Sequence, residues 1–314
     1  MNIIDSKIND YIVNNHYDEL ESFNKLQFFV DLSESLIDIT GKLADKYFNE
    51  DNLTKCDLFT QIDYVKKFYQ KNNVNLNIEQ LIKDGTIHVN FVDNYDLYAR
   101  NYYDGNNNFK VLDFNYSGHL IDSLCLVHEL SHYRNQPDNG RTISNDFITE
   151  GLAFYDELLY GFFLISNGFE IDGNFVIKYF IDICNYIVGD NWCIFKIIHL
   201  FNTLGSVNKE NYKLLYEDDY YEISLEIIQD FLNTEKNGYA LYKKLYYIYG
   251  YYVVINLLDK YFNKNYSNIN ELYSVIDDLD YLNFFGNIDD FNKYEYSKNT
   301  KSLIKKIKNT YEFS

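Results

Sequence analysis

A mainly helical chain carrying one small β-sheet is expected, an α+β arrangement, and three observations predict it. Apolar residues recur at helical spacing through LQFFVDLSESLIDITGKLADKYF (26–48) and again through YVKKFYQ and IEQLIKDG before residue 85. The period drops to two only between residues 86 and 116. Beyond Ser117 and Gly118 the helical period returns and holds through most of the remaining chain.

The elements follow in order. TIHVNFV (86–92) sets Ile87, Val89 and Phe91 against His88 and Asn90, the alternation of a half-buried strand. DLYARNYY (96–103) is a second run, DGNNN a turn, and FKVLDFNY (109–116) a third strand, with Leu112, Phe114 and Tyr116 alternating with Asp113 and Asn115. A helix then runs through HLIDSLCLVHELSHYRN and stops near Pro137, the only proline in the chain. After the polar loop QPDNGRTISN another helix covers DFITEGLAFYDELLYGFFLI (146–165), and the remainder reads as helices joined by Asn- and Asp-rich segments. No internal repeat or Gly/Ser linker interrupts the chain. We expect an N-terminal helical region (1–85) and a second region (86–314) packed as one compact, two-lobed unit.

With 46% apolar residues over 314 positions, the chain can bury a substantial core. A formal charge of −19 argues against a nucleic-acid partner, because such binding draws on Lys and Arg. No apolar run approaches the roughly 20 residues that span a bilayer, and no cleavable leader is evident, so a soluble, cytoplasmic protein without membrane contact is expected. Cys56, Cys125, Cys184 and Cys193 lie far apart without a CxxC pair, which fits free thiols. Tyr and Asn are abundant throughout, the mark of an AT-rich coding genome, so their local clusters carry little functional signal. The basic stretch KSLIKKIKN (301–309) reads as a solvated helix face.

One stretch carries chemistry: LVHELSHYRN (126–135). Two histidines four apart on an α-helix lie about 40° from each other around the axis, so His128 and His132 can reach one ion. Their helix is apolar at Leu120, Leu124, Val127 and Leu130, and a core helix is a costly place for two imidazoles and a carboxylate without partners. A metal supplies those partners. Zinc suits neutral imidazole and keeps a position for water at catalytic sites, and Glu129 is placed to take that water's proton. Glu150, 18 positions beyond His132 on the next helix, is the expected third ligand, with Gly151 and Ala153 small enough to let the two helices close. Glu157, two turns further, is suited to a hydrogen bond to a ligand imidazole. The strand at 109–116 leads into the motif helix and would serve either as an edge that receives an extended peptide or as part of an ordinary core hairpin.

HExxH with a downstream glutamate is the pattern of the gluzincin metallopeptidases, and the chain resembles more specifically their thimet oligopeptidase and oligoendopeptidase F family. FNYSGHLIDSLCLVHELSH (114–132) is similar to that family's strand, Gly turn and HELGH helix, and FITEGLAFYDE (147–157) to its segment of two glutamates seven apart, here Glu150 and Glu157. FYQKNNVNLNIEQLIKDGTI (68–87) is similar to the approach to its catalytic region. These matches cover about a third of the chain. The resemblance implies a zincin-like core in a helical oligopeptidase-type body, with one Zn²⁺ per chain on His128, His132 and Glu150, Glu129 as general base, and short peptides as substrates. It also implies phenol donors to the oxyanion, for which Tyr242, Tyr246 and Tyr249 have a similar spacing, although an aromatic core helix accounts for them as well.

The chain departs from the family in its shorter length, in Ser131 at the Gly of HELGH, and in having no His after His199. His199 sits in the apolar CIFKIIHLF and reads as a hydrogen-bonded core histidine; His88 and His119 lie near the expected sheet. Two other readings stay open. EGLAFY also resembles the aminopeptidase branch of gluzincins, though no GAMEN-like stretch precedes it. Alternatively, the chain is a non-catalytic helical binding protein that keeps a structural zinc. Oligomeric state is not fixed by the sequence.

Overall fold

A computed structural model describes residues 3–14, 30, 33–34, 37, 53–72, 74–94, 96–104, 109–134 and 143–234. Most of the expected helix over 26–48, the turn at 105–108, the loop around Pro137, Tyr242, Tyr246, Tyr249 and the 301–309 stretch lie outside the described residues. The elements are α1 (Ile3–Asn14), α2 (Leu58–Lys71), α3 (Ile78–Lys83), β1 (Ile87–Phe91), β2 (Ala99–Tyr103), β3 (Phe109–Tyr116), a 3₁₀ turn (Leu120–Asp122), α4 (Ser123–Arg134), α5 (Ile143–Ser166), α6 (Glu170–Leu204), α7 (Lys209–Leu215) and α8 (Tyr221–Thr234). The described residues are thus mainly helical with one three-stranded sheet.

Two compact units divide these elements. One holds α2, α3, the sheet, α4, α5 and the part of α6 up to residue 182; the other holds α1, the rest of α6, α7 and α8. The division expected at residues 85 and 86 falls inside the first of these.

In the sheet-containing unit, local chemistry explains where elements begin and end. Asp57 starts α2 by accepting the Thr60 N–H at 2.9 Å, and Asn77 starts α3 by accepting from Gln80 N–H at 3.1 Å. Ile62, Val65, Phe68 and Tyr69 recur on one face of α2 and are buried. α3 ends on Gly85, whose φ of 73° suits glycine. The Thr86 N–H reaches Leu81 O at 2.8 Å and the Gly85 N–H reaches Ile82 O at 3.1 Å, the paired bonds of a Schellman cap.

The sheet order is β1-β3-β2, with β1 parallel and β2 antiparallel to β3. Of the two roles open to the 109–116 strand, this leaves the hairpin. β3, which leads into the motif helix, is the central strand and has its main-chain groups committed on both sides, so it is no edge for a peptide. Among the described residues β1 and β2 are the outer strands of this sheet. Leu112 and Phe114 of β3 are fully buried. Phe91, expected on the buried face, is 74% exposed; it occupies the last register position of β1, opposite Tyr116, whose ring it meets edge-on at 5.4 Å.

α5 turns into α6 through Gly168, at φ 87°, again with Schellman bonds from Phe169 N–H to Leu164 O and from Gly168 N–H to Ile165 O, both 3.0 Å. Immediately past the turn the two helices touch backbone to backbone. A Cβ on Gly173 would lie 2.5 Å from Gly161 O and from Ile165 Cγ1. The start of α6 is tied down by Asp172, whose carboxylate accepts from Thr54 N–H at 3.0 Å and Thr54 Oγ1–H at 2.6 Å.

In the other unit, Lys196 is 1% exposed, with its ammonium 3.8 Å from the Trp192 ring centre and 4.5 Å from that of Tyr216, and it forms an ion pair with Asp218. Asp5 of α1 is buried and accepts the Val207 N–H at 2.7 Å. His199 hydrogen-bonds Tyr216 Oη at 2.7 Å. Among the described residues no helix is long and apolar enough to cross a membrane, and all four cysteines are free.

Gly173→Ala is expected to destabilise the chain by about 1–3 kcal/mol, because the added carbon meets backbone that cannot yield. Gly189→Ala, in the same helix with nothing within 4 Å of the new atom, should instead be neutral or stabilising by up to about 1 kcal/mol. Urea unfolding of the two variants checks this; equal effects would contradict it.

Candidate metal centre

The site is built from the entry to α4 outward. Gly118, at φ 88°, turns the chain out of β3, and Asp122 collects the polar groups left at the turn. Its carboxylate, 1% exposed, accepts from Ser117 N–H at 2.8 Å, Ser117 Oγ–H at 2.9 Å, His119 N–H at 3.1 Å and Gln61 Nε2–H at 3.3 Å. The 53–56 segment runs antiparallel beside this turn, with Cys56 N–H to Gly118 O at 2.9 Å and Leu120 N–H to Thr54 O at 2.8 Å. The first turn of the helix is therefore held from three sides.

Leu124, Leu126, Val127 and Leu130 bury the apolar side of α4. Tyr69 Oη, from α2, donates to Val127 O at 2.9 Å. α5 packs along α4, with fully buried Ala153 and Ser123 Oγ 2.7 Å from Tyr160 Oη at one end of the contact.

Between these two helices the acidic and imidazole groups converge. His128 Nε2 and His132 Nε2 face each other 3.1 Å apart, and Glu150 Oε2 lies 3.8 Å from the first and 3.6 Å from the second. An ion equidistant from these three atoms would be about 2 Å from each, an ordinary bond length for a transition metal on nitrogen and oxygen donors. His128, His132 and Glu150 thus form a group able to hold a metal ion. Glu157 Oε1 sits 2.7 Å from His128 Nδ1, which fixes the ring and leaves Nε2 to face inward. The Phe154 ring, 5.7 Å from that of His128, forms an apolar wall.

Charge explains why a cation belongs here. Glu129, Glu150 and Glu157 are each less than a tenth exposed, and among the described residues the two imidazoles lie against them. Burial would lower the His128 pKa, but Glu157 first, then Glu129 and Glu150, outweigh it and push it up to about 10. Burial raises the Glu129 carboxyl above its usual range; His128 and His132 pull it back, while Glu150 and Glu157 push it further up. A buried anionic cluster that takes up a proton so readily is one a divalent ion can neutralise.

The other described histidines, His88, His119 and His199, do not join this group. His88 pairs with Asp113 at 3.1 Å and is more than half exposed, His119 Nδ1 lies 2.8 Å from Ser117 Oγ, and His199 belongs to the other unit. Sequence reasoning assigned no role to Asp122, Tyr69, Arg134 or Asp156. Arg134 and Asp156 form an ion pair of 3.3 Å beside the centre. For Asp122 a signal was present, a carboxylate five residues after Ser117 across a glycine; for the Arg134–Asp156 pair there was none, since 22 positions separate its members.

Comparison with protein-family models, curated proteins and solved structures finds no match to this chain.

Two outcomes are expected in solution. Zn²⁺ at about one hundred times its Kd should add about 2.7 kcal/mol to the unfolding free energy, and His132→Ala should abolish the gain. The His128 pKa is raised from 6.5 in the folded, metal-free chain, so its stabilising contribution is complete below about pH 6.5 and is lost as pH rises through about 10. A zinc ion bound at His128 would have to displace that proton. Calorimetric titration near pH 7.5 in two buffers of different ionisation enthalpy should show release of about one proton per chain, and buffer-independent heats would contradict the assignment.

Proposed function

We propose that this chain is a zinc metallopeptidase that hydrolyses internal bonds of short peptides. The observation that carries the reading is the near-equidistant arrangement of His128 Nε2, His132 Nε2 and Glu150 Oε2 at zinc bonding distance, with the buried Glu129 carboxyl next to the first ligand in sequence. Two histidines and one glutamate are a known catalytic donor set for zinc, which keeps a further position free for water or substrate. The resemblance of 114–132 and 147–157 to the oligopeptidase segments supports the same reading.

When bound, zinc supplies Lewis-acid polarisation of the scissile carbonyl and lowers the pKa of a water. The chain's own groups do the rest. His128 and His132 offer their Nε2 lone pairs, and Glu157 keeps the His128 ring in that orientation through Nδ1. Glu129 takes the proton of the attacking water and delivers it to the leaving amine as the C–N bond breaks. Its carboxyl is raised above the usual range by burial, so it is fitted to hold a proton in transit. β2, the outer strand that packs against α4, is the strand of this sheet proposed to receive an extended peptide, a role the central β3 cannot take. Tyr242, Tyr246 and Tyr249 remain the proposed oxyanion donors from the family resemblance.

The test is incubation of the purified chain with a mixed library of short peptides, read by mass spectrometry. Internal cuts are expected, lost on chelation and restored by Zn²⁺. Glu129→Gln should still bind zinc while its turnover falls roughly 10²–10⁴-fold. Bound zinc without any cut would instead assign the chain as a non-catalytic zinc protein, and cuts confined to free amino termini would assign an aminopeptidase.

A further inference from the structure

α4 and α5 are joined at the metal centre by apolar packing, and apolar contacts alone resist separation better than they resist sliding. A ligand triangle with sides of 3.1 to 3.8 Å tolerates little sliding, because a shift of an ångström in α5 carries the Glu150 oxygen out of bonding range. Some directional contact must hold the register. One such contact is the hydrogen bond between His128 and Glu157.

Beyond His132 the same two helices are joined by an ion pair, which ties one charged group of each to a fixed place. Arg134, two residues past that ligand in the last turn of α4, places Nη2 3.3 Å from Oδ2 of Asp156, the residue before Glu157 on α5. The Asp156 side chain is completely buried and that of Arg134 is 17% exposed. On its other side the guanidinium lies 5.8 Å from the centre of the Tyr69 ring, and Tyr69 Oη donates to Val127 O of α4. Arg134 is therefore held between α2 and α5 while belonging to α4. A buried ion pair is a poor device for stability alone, since apolar residues of similar volume commonly serve as well; what it supplies is a fixed geometry between two charged groups.

We propose that Arg134 and Asp156 are a positioning pair that sets the register of α5 against α4, and hence the distance of Glu150 from His128 and His132. The proposal rests on the metal-centre reading of those three residues. It assigns the pair no contact with metal or substrate; its effect is on how tightly and in what geometry the ion is held.

The test uses the full chain as wild type, as the double variant Arg134→Met with Asp156→Leu, which removes both charges of the pair together, and as Arg134→Lys, which keeps the charge but not the planar fork. Folding is checked by circular dichroism, Zn²⁺ affinity by competition with a chromophoric chelator, and geometry by the visible bands of the Co²⁺-loaded chain. The double variant should keep its fold, bind zinc roughly 10- to 100-fold more weakly, and lose the intense bands of four-coordinate Co²⁺. Arg134→Lys should fall between it and wild type. A folded double variant with wild-type affinity and wild-type Co²⁺ bands would overturn the proposal. If the double variant does not fold, Arg134→Lys decides, and wild-type values for it overturn the proposal equally. A wild-type chain that takes up neither metal refutes the metal-centre reading and the pair's role with it, whereas metal uptake unchanged by the variants refutes the pair alone.

Discussion

The structure around α4 depends on one electrostatic constraint: three carboxylates and two imidazoles share a space with little access to water. Glu129, His132, Glu150 and Glu157 are all buried, and the two facing Nε2 atoms approach to 3.1 Å. Two lone pairs cannot face each other at that distance without a cation or proton between them. The carboxylates around His128 raise its pKa and so favour a proton there; a metal ion would meet the same demand with more charge and with defined directions.

The supports of α4 make sense as answers to that constraint. Asp122 gathers four donors at the mouth of the helix, and the 53–56 segment ties that mouth through Thr54 to Asp172 at the start of α6. Tyr69 reaches the middle of α4, and the Gly161–Gly173 contact draws the α5–α6 pair together just past its turn. Each contact is directional or sterically unforgiving. A purely apolar interface would leave the helices free to settle by small slides, and a three-donor site cannot absorb such movement.

The sheet has a different part. Its central strand, β3, delivers the chain into the motif helix and is saturated by neighbours on both sides. Under the proposed peptidase reading, strand addition would fall to β2, an outer strand of the sheet that packs against α4. The change matters for function, since an extended peptide on β2 would run along the edge next to α4 instead of into the centre of the sheet.

The sequence by itself determined the helical class, the three strands and the residues of the centre. Period and spacing are local properties: Ile87 to Phe91 alternates, His128 and His132 are one turn apart, and Glu157 lies two turns beyond Glu150, whatever the rest of the chain does. Only the tertiary structure decided the strand order, the exposure of Phe91, and the contacts that hold α4 in register. Strand order depends on which edges find partners, so a parallel β1–β3 pairing around a later β2 cannot be read from alternation. Arg134 and Asp156 are an ordinary helix-end cation and an ordinary acidic residue until α5 folds back and removes water from both. Desolvation turns them into a pair, and desolvation belongs to the packed molecule, not to any stretch of its sequence.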